Sequence, residues 1–129
     1  MNRKRILIID DDIPLSQTMK INLEATDDYE VLVEKKSSQA LSAAREFKPD
    51  LILLDVIMPD LDGGDVSALL QSDPILHSVP VIMVTALVSN GETGSDLTVA
   101  NGDTLMVAKP IRFEKLVAAI ESGLSPHPV

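Results

Sequence analysis

Acidic, hydroxyl and basic side chains follow successive apolar runs of this sequence. Asp10 and Asp11 come after the first run, Asp55 after the third, Thr85 after the fourth and Lys109 after the fifth. Carboxylates that lie within a few ångströms repel one another, and a divalent hard cation relieves that repulsion. Acids, a hydroxyl and an ammonium together are the groups that metal-assisted phosphoryl transfer needs.

The acids predict a metal site. Mg²⁺ typically binds one or two carboxylates, several waters and phosphate oxygens. We therefore expect Mg²⁺ or Mn²⁺ at Asp10, Asp11 and Asp55, together with the backbone carbonyl of Ile57. The ion would also screen an incoming phosphoryl group from the acids.

The remaining groups predict a covalent chemistry. With its charge screened, Asp55 is a feasible nucleophile towards phosphorus. Lys109 is expected to pair with a phosphate oxygen as a point charge, and Thr85 to donate a hydrogen bond to another.

Each residue alone also has an ordinary structural explanation. Asp12 precedes Ile13-Pro14 and is expected to be the N-cap of a helix. His77 and His127 are expected to be solvated surface residues rather than phosphorylation sites. A lone threonine or Lys-Pro dipeptide says little, so the joint pattern carries the functional interpretation.

The elements that must position these residues alternate between strands and helices. Strands are expected at residues 5–9, 30–34, 51–54, 81–84 and 105–108. Apolar residues at helical spacing predict helices around residues 15–23, 41–47, 66–70 and 113–124. The third stripe comprises Val66, Leu69 and Leu70. A fifth, weak helix is expected over residues 89–101, where two glycines each cost about 1 kcal/mol.

This alternation predicts an α/β fold, with a parallel sheet covered by helices on both faces and ligands at the carboxyl ends of the strands. The length of 129 residues and a hydrophobic content of 45% fit one domain. The absence of cysteine excludes disulfides and thiolate sites. No apolar run could span a membrane, and a net charge of −9 opposes direct nucleic-acid binding, so we expect a cytoplasmic protein.

Residues 5–124 resemble the receiver domain of bacterial two-component response regulators. Residues 6–12 are similar to its opening acid motif, and residues 51–64 to its phosphoacceptor strand and loop. Residues 72–74 and 79–86 resemble its fourth-strand signature, and Lys109-Pro110 its fifth. The resemblance implies a flavodoxin-like, doubly wound, five-stranded sheet of order 2-1-3-4-5. The domain is expected over residues 1–125, with residues 126–129 a tail or the start of a linker.

The resemblance also implies roles and partners. Asp55 would accept a phosphoryl group from a histidine kinase or a histidine phosphotransfer protein, and the chain would catalyse only its own phosphorylation and dephosphorylation. Thr85 would be the switch hydroxyl and Lys109 the phosphate partner, with a cis peptide bond before Pro110. Met106 stands where the family usually has a switch aromatic. An effector domain beyond residue 129 is an open possibility.

The same residues bear on three other functions. Met106 and the glycines near residue 90 favour a constitutive interaction module that has lost its switching. A phosphohydrolase usually needs a second acid two residues after the nucleophile, where this sequence has Ile57. A flavin carrier is disfavoured because acids after the first strand would repel its phosphate. Ile57 and Leu87 lack groups that could orient water, which predicts slow self-dephosphorylation.

Overall fold

Short apolar segments form a central sheet, and the segments between them form helices. The computed structural model describes residues 3–55, 63–85, 97–100, 104–108 and 113–124. The strands are β1 Lys4–Ile9, β2 Tyr29–Glu34, β3 Leu51–Asp55, β4 Val81–Thr85, β5 Leu97–Ala100 and β6 Thr104–Ala108. The helices are α1 Ile13–Glu24, α2 Ala40–Phe47, α3 Gly63–Ser72 and α4 Phe113–Leu124, and a 3₁₀ turn, Ser37–Gln39, precedes α2. Among these described helices, none has both the length and the apolar character that a bilayer span requires.

The sheet has the predicted parallel core. Its strand order is β2-β1-β3-β4-β6-β5, and the pairs β1–β2, β1–β3, β3–β4 and β4–β6 are parallel. The strand predicted at 105–108 is β6, so the five predicted strands keep the order 2-1-3-4-5. The α/β fold class is therefore confirmed.

The edge beyond β6 differs from the prediction. A weak helix was expected over residues 89–101, but residues 97–100 form β5, which pairs antiparallel with β6. The helix prediction is wrong for these four residues, and residues 86–96 lie outside the described part of the chain. Leu97, Thr98 and Val99 favour strand, and the Asn101-Gly102 dipeptide that follows is typical of hairpins.

Side chains of the sheet point alternately into two cores. On the side of α1 and α4, Ile6, Ile8 and Leu53 pack with Leu23 and Ile120. Residues of the opposite parity pack on the side of α2 and α3 in a second cluster that includes Leu7, Ile52, Leu54, Ala44 and Leu70. All five residues of β3 are buried, because helices cover the centre of the sheet on both faces.

The third helix buries only part of its predicted stripe. Val66 and Leu70 are buried, whereas Leu69 is 47% exposed. Residues four apart lie on one face of a helix, and Leu69 is rotated away from that face. The predicted helix is therefore confirmed, and Leu69 lies on its exposed side.

A buried aspartate ties α2 to the turn after α3. One Asp73 oxygen accepts hydrogen bonds from Nε (2.8 Å) and Nη2 of Arg45. The other accepts from the backbone N–H groups of Ile75 and Leu76. The hydrogen bond from Arg45, followed by those from the backbone, holds the pKa of Asp73 below its ordinary value. Asp73 is thus a structural residue that lies away from the predicted site.

Candidate functional site

The register of the central strands brings two predicted site residues side by side. Ile9 pairs with Leu54 across β1 and β3, which are parallel. Each of these two residues is followed by an acid. Asp10 comes directly after Ile9, and Asp55 comes directly after Leu54 and ends β3. Both acids therefore lie at the carboxyl edge of the sheet, where α/β proteins bind their ligands.

Three carboxylates gather at this edge. Asp10, Asp11 and Asp55 each present one oxygen, and these oxygens all lie within 4.8 Å of one another. Asp10 is 2% exposed and Asp55 is 6% exposed, while Asp11 is open to solvent. The cluster therefore has two buried members and one member at the surface, from which an ion can enter.

Local hydrogen bonds fix the chain around Asp10. Its backbone N–H donates to the Glu34 carbonyl oxygen of β2 (3.0 Å), and its Oδ1 accepts from the Asp12 N–H (2.9 Å). Asp12 caps α1, since its side chain accepts from the Leu15 N–H (3.2 Å). The predicted N-cap role of Asp12 is confirmed, and the cap fixes the turn that carries the acids.

Glu34 holds Asp10 in place, a role that was not predicted from the sequence. The bond is made by its backbone, so the side-chain type carries no signal for it. The signal that could have found it is position, because Glu34 ends the strand that lies next to β1.

The three acids fit a hard divalent cation. Ligand oxygens on opposite sides of Mg²⁺ are about 4.2 Å apart, twice the typical Mg–O distance of about 2.1 Å. The three oxygens lie within 4.8 Å of one another, which is close enough for them to surround one such ion, with waters as its remaining ligands. The predicted ligand set of Asp10, Asp11 and Asp55 is therefore brought together by the fold.

Two further predicted residues have described backbone positions. Thr85 is the last residue of β4 and pairs with Ala108, the residue before Lys109. Met106 pairs with Met83 in the middle of β6 and β4. Thr85 thus ends its strand at the same edge as the acids, whereas the position of its hydroxyl lies outside the described part of the structure.

The other predicted site residues lie outside the described residues. These are Ile57 with its carbonyl, Lys109 and Pro110, together with Leu87 beside the site. Their roles stay predictions.

This arrangement of acids at the sheet edge occurs in a chain that matches a known protein family. The model of the response regulator receiver domain matches residues 6–121, which is most of the chain. The chain belongs to the response regulator receiver domain family. As a receiver domain, it is a component of two-component signalling.

Relatives of this receiver domain include short and long proteins. The DNA-binding response regulator MtrA of Mycolicibacterium smegmatis is 36% identical over 95% of this chain and 51% of its own length. The chain thus spans about half the length of the MtrA relatives it matches. The polar-differentiation response regulator DivK of Brucella anthropi is 31% identical, and the match covers 94% of this chain and 96% of DivK.

Solved structures have the same fold. The chemotaxis protein CheY4 of Vibrio cholerae has a TM-score of 0.81 and 25% identity, covering 95% of this receiver domain and 100% of CheY4. The signal receiver domain of a histidine kinase from Syntrophus aciditrophicus has a TM-score of 0.75 and 28% identity, with coverage of 94% and 89%.

Proposed function

We propose that Asp55 accepts a phosphoryl group from the phosphohistidine of a histidine kinase or a histidine phosphotransfer protein. The observation that carries the proposal is the gathering of Asp10, Asp11 and Asp55 at one edge of the sheet, within 4.8 Å. Asp10 and Asp11 would hold Mg²⁺ or Mn²⁺ with Asp55 and the carbonyl of Ile57. The bound ion would neutralise charge on the phosphoryl oxygens.

The transfer exchanges one bond to phosphorus for another. An Asp55 carboxylate oxygen forms the new P–O bond while the P–N bond to the donor imidazole breaks. The imidazole leaves with the electron pair of that bond and takes up a proton from solvent. Lys109 would pair with one phosphoryl oxygen and Thr85 would donate a hydrogen bond to another. Ile57 and Leu87 offer no group to orient water, so the acyl phosphate would hydrolyse slowly.

The bounds of the receiver domain and the presence of an output domain are also proposals. We place the receiver domain at residues 1–125 and assign residues 126–129 to a tail or the start of a linker. MtrA is a DNA-binding response regulator of about twice this length, so an output domain joined to this chain fits the comparison. The net charge of −9 disfavours DNA binding by the receiver domain itself.

Phosphorylation by a small donor tests this function. Incubation with acetyl phosphate and Mg²⁺ is expected to add about 80 Da to the intact mass, the mass of one phosphoryl group. The adduct should disappear with EDTA and in Asp55→Ala, and it should persist in Asp50→Ala, which removes an acid from the opposite edge. An unchanged wild-type mass, or an undiminished adduct in Asp55→Ala, would contradict the proposal.

A further inference from the structure

Two exposed lysines follow β2 directly beside the acid site. Lys35 and Lys36 come after Glu34, and Glu34 is the residue whose carbonyl oxygen binds the Asp10 N–H at 3.0 Å. Neighbouring strands lie about 4.8 Å apart. These two lysines, named here the lysine rim, therefore emerge next to Asp10 and Asp11 at the carboxyl edge of the sheet.

The backbone of the lysine rim is held in place while its side chains are free to reach solvent. The Lys36 N–H donates to Glu34 Oε2 (3.1 Å), and the Lys36 carbonyl accepts from the Gln39 N–H (3.0 Å). Both side chains are exposed. Within the described ranges, the ion pairs involve Arg3, Arg5, Lys20 and Arg45, and neither rim lysine takes part.

The location of these charges matters because the other charged residues described at this edge are acidic. Five carboxylates lie at or next to the site: Asp10, Asp11, Asp12, Glu34 and Asp55. An anionic phosphodonor approaching the site is repelled by these acids. Two ammonium groups at the boundary of the site reduce that repulsion at the place where the donor must enter.

We propose that Lys35 and Lys36 draw anionic phosphodonors, such as acyl phosphates, to the acid site by electrostatic attraction. The inference rests on the proposed function, since it concerns the substrate of that reaction. It assigns the lysines a positioning role, in which they act on the encounter with the donor and not on the bond changes at phosphorus. The two lysines should attract the anionic donor and repel Mg²⁺. Their removal should therefore slow phosphorylation without weakening Mg²⁺ binding.

A double variant and a matched control test this inference. Lys35→Gln/Lys36→Gln removes the rim charges, and Lys4→Gln/Lys48→Gln removes two exposed lysines from the opposite edge, giving the same net charge. At about 10 mM ionic strength, where the Debye length is about 30 Å, we expect the rim variant to phosphorylate with acetyl phosphate about 3- to 10-fold more slowly. At about 1 M salt, where the Debye length is about 3 Å, the difference should fall below about twofold.

Mg²⁺ binding, measured by calorimetry at low salt, separates this role from a structural one. Loss of two nearby positive charges should leave the Mg²⁺ affinity of the rim variant unchanged or up to several-fold tighter, whereas a distorted site would bind Mg²⁺ more weakly. Lys35→Arg/Lys36→Arg keeps the charges and should restore the rate.

Three outcomes overturn the inference while the proposed function stands. These are a normal rate in the rim variant, an equal slowing in the opposite-edge control, and a slowing accompanied by weaker Mg²⁺ binding. Absence of any adduct on the wild-type protein overturns the proposed function and the inference with it.

Discussion

Asp10 and Asp11 are adjacent in the chain but stand in different surroundings. Asp10 is buried and hydrogen-bonded to the Asp12 N–H through Oδ1, while Asp11 faces solvent. A neutral asparagine at position 10 can still accept the same hydrogen bond through its own Oδ1. Substitution by asparagine therefore removes charge at either position with little change in the turn.

We expect Asp10→Asn and Asp11→Asn each to weaken Mg²⁺ binding by at least about tenfold, equivalent to about 1.4 kcal/mol. The reason is the loss of one of three converging carboxylates, which are the ligands that Mg²⁺ prefers. Calorimetric titration with MgCl₂ measures the affinity. Asp28→Asn is the control, since it removes the same charge from an exposed acid at the amino edge. Equal affinities in all four proteins would rule out the assigned metal site.

At the scale of elements, α4 approaches strands β3 and β4 closely at Gly123. A Cβ placed on Gly123 would be 2.7 Å from Leu51 Cδ1 and 3.5 Å from Ile82 Cδ1. Both neighbours are buried, so neither can move into open space. A Cβ at position 123 would therefore force the end of the buried Leu51 side chain to shift.

Gly123→Ala should lower the free energy of unfolding by about 1 kcal/mol. Overpacking costs about 1–3 kcal/mol, and the better helix propensity of alanine recovers at most about 1 kcal/mol. Urea denaturation measures the difference. Ser122→Ala, an exposed change in the same helix turn, should lie within about 0.5 kcal/mol of wild type. A more stable Gly123→Ala protein would show that α4 does not approach the sheet this closely.

Glu24, at the end of α1, holds edge strand β2. Its Oε2 accepts a hydrogen bond from the Val31 N–H (3.0 Å), and its Oε1 accepts one from Lys20 Nζ (3.0 Å). The hydrogen bond from Val31 is the main cause that lowers the pKa of Glu24 below its ordinary value of 4.5. Because the folded-state pKa is the lower one, the stabilisation is complete above the ordinary value and is lost as the pH falls through the lowered pKa.

Glu24→Gln should therefore reduce the free energy of unfolding by about 1 kcal/mol at neutral pH, the scale of one partly exposed hydrogen bond to a charged group. The gap to wild type should shrink at an acidic pH that protonates the carboxylate of the wild-type protein, below its lowered pKa. Denaturant titrations at both pH values measure it. Glu46→Gln, on the exposed side of α2, should show no such gap, and a gap independent of pH would contradict this role for Glu24.

The sequence predicted those elements whose apolar runs are continuous. Residues 51–54 and 81–84 are continuous apolar runs of the length of a buried strand, and Asp55 and Thr85, which follow them, mark the edge of the sheet. It could not predict that Leu97–Thr98–Val99 joins the sheet, since three residues are too few to distinguish strand from a distorted helix. The proximity of Asp10 and Asp55 could be predicted because parallel strands end at the same edge of the sheet. The Arg45–Asp73 ion pair could not be predicted, because it depends on how α2 packs against the turn after α3, which sequence spacing does not encode.

At the scale of the whole molecule, the proposed phosphorylation of Asp55 can act as a signal only if it changes the structure beyond the site. Thr85 ends β4 and pairs with Ala108 of β6, and α4 begins five residues later. We therefore expect a change at Thr85 to reach β6 through this pairing, and to reach α4 because it follows β6 closely in the chain. Met106, in place of the usual aromatic, favours the alternative in which β6 and α4 no longer respond.

Amide hydrogen exchange distinguishes these two behaviours. Beryllofluoride with Mg²⁺, a stand-in for the phosphoryl group on Asp55, should slow exchange in β6 and the first turn of α4 by about tenfold, equivalent to about 1.4 kcal/mol. Asp55→Ala is the control and should show no change. Slower exchange confined to residues around Asp10 and Asp55 would indicate a constitutive interaction module.

Chemical trapping tests whether the side chain of Asp55 forms an acyl phosphate. Borohydride reduces an aspartyl phosphate to homoserine, so the protein is treated with acetyl phosphate and Mg²⁺, reduced, digested and sequenced by mass spectrometry. Homoserine is expected at position 55 only when donor and metal are both present. Homoserine at another aspartate, or none at position 55 in protein that carries the phosphoryl mass, would contradict this expectation.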